Sequence, residues 1–102
     1  MSKEEAIIMK IFSSYAEKIQ LAIFEGSWED LNDTLKQRQA KLEIIFSELS
    51  SSDKDDILLF LIKKIQKEDG ISLQLIKTKK LELEKQYLSL KQGRKSLKAY
   101  QS

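Results

Sequence analysis

The chain of 102 residues contains no proline, and glycine occurs only at Gly26, Gly70 and Gly93. Proline removes a helical hydrogen bond and clashes with the preceding turn, so its absence leaves the chain almost without forced stops. Leu, Ile, Lys, Glu and Gln dominate the composition, and all of these but the β-branched Ile lose little side-chain freedom in a helix. A chain of this kind is built for long helices, and its length suits one domain over residues 1–102.

The spacing of apolar residues agrees. Ile8, Ile11, Phe12, Tyr15, Ile19, Ala22 and Ile23 share one face at helical spacing. Trp28, Leu31, Leu35, Arg38, Leu42, Ile45 and Leu49 form a second stripe, close to a heptad seam. Leu58, Leu61, Ile65, Ile76, Leu83, Tyr87 and Leu90 form a third. No useful stretch alternates with a period of two, so the fold class is all-α. Ser2 with Glu5, Ser27 with Asp30 and Ser52 with Asp55 each place a serine three residues before an acid, as helix starts do. These signals predict helices over about 3–25, 28–50 and 53–92, packed as an antiparallel three-helix bundle with a long third helix. Gly70 and Gly93 are the places where that helix could break. One glycine inside a helix costs about 1 kcal/mol, and the stripe continues past Gly70 in register, so a continuous helix is favoured there.

Unequal lengths carry the main functional inference. The first two helices span about 34 Å each and the third about 60 Å. Residues from Lys77 onward should therefore overhang the bundle, yet apolar side chains continue there. The candidate protein-binding residues are Leu73, Ile76, Leu81, Tyr87, Leu88, Leu90, Leu97 and Tyr100. Exposed apolar rows of this kind mark an interaction surface. A client protein and a second copy of the chain, forming a homodimer, fit this feature equally well.

Chemistry is poorly represented. The chain has no cysteine and no histidine, which removes thiolate chemistry, disulfides and the commonest general base. It has no glycine-rich phosphate loop and no metal-ligand cluster, so neither an enzyme nor a cofactor is expected. Asp53, Asp55 and Asp56 are better explained by the start of a helix than by a cation site. Arg38 stands on the second stripe, with Glu68 and Asp69 near the facing seam; it either snorkels outward along its aliphatic stem or, the reading slightly favoured, forms an interhelical charge pair that fixes register. Residues 1–60 carry a charge balance of −5 and residues 61–102 one of +7. The basic end has no recognisable nucleic-acid motif, and no apolar run is long enough for membrane insertion. A cytoplasmic protein is expected.

The stretch Leu21-Ala22-Ile23-Phe24-Glu25-Gly26-Ser27-Trp28-Glu29-Asp30-Leu31, leading into a Leu-periodic helix with Arg38, resembles the FliT-type flagellar export chaperones. The likeness continues through Ile65 and Asp69 to Gly93-Arg94-Lys95-Ser96-Leu97-Lys98-Ala99-Tyr100. It implies a flagellar type III export chaperone that binds the C-terminal helical segment of the filament-cap protein. It also implies contacts with the export ATPase complex and the export gate. The alternatives are a structural helical-bundle or coiled-coil protein, and another type III secretion chaperone.

Overall fold

The computed structural model describes the backbone of residues 3–101 and the side chains of residues 3–94. Three helices make up the described chain: α1 (Lys3–Glu25), α2 (Trp28–Ser51) and α3 (Asp55–Gln101). The expected all-α bundle with a long third helix is the fold. Acids in each first turn, Glu4 and Glu5, Glu29 and Asp30, Asp55 and Asp56, oppose the positive pole of their helix dipoles.

Both turns are closed in the same way. Gly26 adopts the left-handed conformation at φ 67°. Its N–H donates to the Ile23 carbonyl at 3.0 Å, and the Ser27 N–H donates to the Ala22 carbonyl at 2.9 Å. This doubled bond pattern satisfies the last carbonyls of α1 and reverses the chain at once. At the second turn Asp53 takes the same role at φ 57°, with Lys54 N–H donating to Leu49 at 3.1 Å. Ser52 is thus the end of α2 and does not begin α3. The first bond of α3 runs from the Leu58 N–H to the Lys54 carbonyl at 3.2 Å. The Ser27 signal marks its helix correctly but differs in detail. Its hydroxyl donates to the Asp30 carboxylate at 2.7 Å and makes no bond to a first-turn amide. The Ser2 start lies outside the described residues.

The core falls into two clusters along the bundle. Ile8, Phe12, Leu42, Ile45, Leu49, Leu61 and Ile65 close the end where α1 begins. Ile19, Ala22, Ile23 and Leu31, with Trp28, Leu35 and Ile76 against them, close the end at the α1–α2 turn. Every one of these residues except Ala22 is bulky, and burying such side chains contributes about 1.5–3 kcal/mol each. Ion pairs tie the same elements: Lys54 of the α2–α3 turn meets Glu4 of α1, and Arg38 of α2 meets Asp69 of α3.

Helix α3 is unbroken at Gly70, as the continuous stripe implied, and it also runs through Gly93 to Gln101, further than the expected end near residue 92. A Cβ at either glycine would meet nothing within 4 Å, so neither is required by packing. The molecule measures 74 × 19 × 17 Å. Its radius of gyration of 20.3 Å far exceeds the value of about 13 Å for a compact chain of this length, because the long helix outruns its neighbours.

Candidate protein-binding surface

The bundle's cover over α3 ends later than helix lengths alone predict. Lys79 stands 5.7 Å from the Phe24 ring and Lys80 stands 6.0 Å from the Trp28 ring. Leu83 and Lys79 lie against Gly26. The side chains around the α1–α2 turn therefore cover more than one further turn of α3, and the overhang begins beyond Leu83, not at Lys77.

From this boundary the third stripe can be followed outward. Ile76 packs on the turn-end cluster, so this residue serves the chain's own core. Leu83 is half-buried. Tyr87 and Leu90, the next residues of the same stripe, are 64% and 67% exposed. The pattern that buries a helix thus continues after the burying partner has ended. A second ridge, Leu81 and Leu88, one heptad apart and also exposed, lies about 140° around the helix from it. Leu73 is exposed as well, but it stands beside the bundle and not beyond it. Leu97 and Tyr100 lie outside the residues whose side chains are described. Of the eight candidates, Tyr87, Leu88 and Leu90 stand on the overhang, and Leu81 is exposed just short of it.

Basic residues accompany this surface. Past Glu82 and Glu84 come Lys85, Lys91 and Arg94, all exposed. Cations towards a helix C-terminus interact favourably with its negative pole, so they suit an unsupported helix end.

The register of α3 is fixed further back. Arg38 Nη1 donates to Asp69 Oδ1 at 2.8 Å, with side chains 11% and 46% exposed. The expected seam pair is this one. Arg38 Nε, by contrast, is buried without a hydrogen-bond partner. Glu68 faces Lys64 at 3.9 Å. Burial pushes the Glu68 carboxyl above its ordinary range, against the pull of Lys64 and then Arg38 and with a smaller push from Asp69.

Comparison with known families decides what kind of protein carries this surface. The model of one family, flagellar protein FliT, matches residues 8–102, which takes in all three helices and the whole overhang. The chain belongs to the FliT family. Comparisons with curated proteins and with solved structures returned no match. FliT is a family of flagellar export chaperones, and membership makes this chain a flagellar export chaperone in general terms. No helix of the described residues is long and apolar enough to cross a membrane, and no group of three or more His, Cys, Asp or Glu among them is placed to hold a metal ion.

Residue spacing alone missed a second apolar surface, on the α1–α2 side. Ile7 and Ile44 line one concavity there and are 57% and 54% exposed. The signal was the isoleucine doublets Ile7-Ile8 and Ile44-Ile45, in which only the second member belongs to the core stripe.

Proposed function

We propose that this FliT-family protein binds the C-terminal helical segment of the filament-cap protein on the overhang of α3. In this reading it keeps that segment from aggregating or assembling early, and it delivers the client to the export ATPase complex and export gate in the cytoplasm. The observation that carries the reading is the stripe from Ile76 through Leu83 to Tyr87 and Leu90, which loses its cover part-way along one helix. An amphipathic client segment wrapped around the distal part of α3 would restore that cover and also bury Leu81 and Leu88 on the far side of the helix. The family's general role and the resemblance to cap-protein chaperones support this choice of client.

A second copy of the chain is the other occupant this stripe would accept, and one experiment separates the two. Titration of the cap protein's C-terminal segment, with sedimentation of the free chaperone, is carried out on Leu81→Ala/Leu88→Ala and on Leu49→Ala/Leu61→Ala. The first variant should keep its unfolding temperature and lose client affinity by at least about tenfold. The second removes two fully buried side chains and should lose stability by roughly 2–5 kcal/mol per site. Full client affinity in the first variant, or conversion of a dimer to a monomer without loss of client binding, would defeat the proposal.

A further inference from the structure

The groove between α1 and α2, on the side away from α3, has a composition that the overhang does not explain. Two adjoining concavities of about 410 and 350 Å³ share Ile7 and Ile11, and Ile44 closes the second from the α2 side. An apolar floor of this kind, open to solvent on a helical bundle, has the shape that takes one further helix.

Charge says which kind of helix. Residues 1–60 are acidic overall and hold 7 Lys/Arg. Arg38 and Lys54 are engaged in ion pairs within the bundle. Four of the remaining five, Lys3, Lys10, Lys18 and Lys41, line this groove. Among the described residues, none of the four is in an ion pair. Two acids share the lining, and of these Glu4 is held by Lys54, which leaves Glu48. Beyond Lys18 the groove turns acidic at Asp30 and Asp33. The cationic stretch from Lys3 to Lys18 is about 22 Å long, or some four helical turns. Cations so concentrated in an acidic region raise the local concentration of an anionic partner and set its orientation.

We infer that the α1–α2 groove is a second docking site, for an acidic amphipathic helix of a partner other than the client on α3. Its apolar stripe lies on Ile7, Ile11 and Ile44, and its flanking carboxylates meet the lysines. The chain's own unpartnered helix is a poor occupant: the overhang offers Lys85, Lys91 and Arg94 against Glu84, and its excess positive charge repels the groove. The site rests on residues separate from those of the proposed client site, so the two stand or fall independently.

The test is fluorescence anisotropy on the full chain with three labelled helical peptides that share one leucine stripe and differ in flanks of glutamate, lysine or serine. The glutamate peptide should bind at least about tenfold more tightly than the lysine peptide. Lys10→Glu/Lys41→Glu should invert that order with its helical circular dichroism unchanged. Ile7→Ser/Ile44→Ser, at exposed positions, should weaken the glutamate peptide by a similar factor, and Leu81→Ala/Leu88→Ala should leave it unaltered. Four results overturn the inference. These are no saturable binding of the glutamate peptide, equal affinity for both charges, loss of binding in the Leu81→Ala/Leu88→Ala variant, and a groove variant that turns a wild-type dimer into a monomer.

Discussion

Replacing Gly26 and replacing Gly70 by alanine should move stability in opposite directions. Gly26 is left-handed, and a Cβ there would meet only ordinary contacts, Lys79 Cε at 3.6 Å and Leu83 Cδ1 at 3.7 Å. The cost is therefore one of backbone conformation, about 1–2 kcal/mol. Gly70 is helical and open, so alanine there should stabilise by about 0.5–1 kcal/mol. Urea unfolding of both variants checks the pair of signs. The sequence marked Gly26 as a boundary, but it did not reveal that Asp53 would close the second turn in the same conformation. A serine cluster followed by acids reads equally well as the end of one helix or the start of the next. Here the carbonyls of α2 claim the Ser52 and Asp53 amides first.

Two further tests belong to single side chains. The double-mutant cycle Arg38→Met with Asp69→Asn should give a coupling of about 0.5–1 kcal/mol, because the exposed half of Asp69 is screened by solvent. Zero coupling would leave Arg38 as a packed stem with no part in the register. Glu68 gives the pH dependence. Its folded carboxyl holds a proton more tightly than the unfolded one, because of burial. That contribution is complete at acid pH, below the ordinary carboxylate range, and is lost as pH rises through the raised folded value. Glu68→Gln should therefore gain stability relative to the wild type as pH climbs through this window. A difference that stays constant, or shrinks with rising pH, contradicts the assignment.

At the scale of elements, helix existence and length were legible because each stripe is sustained over several turns and nothing in the chain interrupts it. The overhang was legible from the same lengths, although its start was placed about two turns early. A count of residues per helix omits the reach of Phe24 and Trp28, and these rings extend the cover to Lys79 and Lys80. Ile76, a candidate contact for a partner by spacing, packs on the cluster of Ile19, Ala22, Ile23 and Leu31. The α1–α2 groove was not legible. Its lysines are scattered through an acidic segment in sequence and meet only when α1 and α2 lie side by side.

At the scale of the whole molecule, the chain is a short bundle that carries one helix far beyond itself, 74 Å long and under 20 Å across. A helix segment without tertiary neighbours keeps little protection of its own, since most helical stability in proteins comes from a packed face. The distal part of α3 should be the region whose order a client changes most. Hydrogen–deuterium exchange of the full chain, free and with the cap protein's C-terminal segment, tests this claim most directly. The account predicts fast exchange beyond Leu83 in the free protein and marked slowing over residues 84–94 in the complex, with residues 55–76 little altered. A complex in which 84–94 exchange as fast as in the free chain, while protection appears elsewhere, would contradict it.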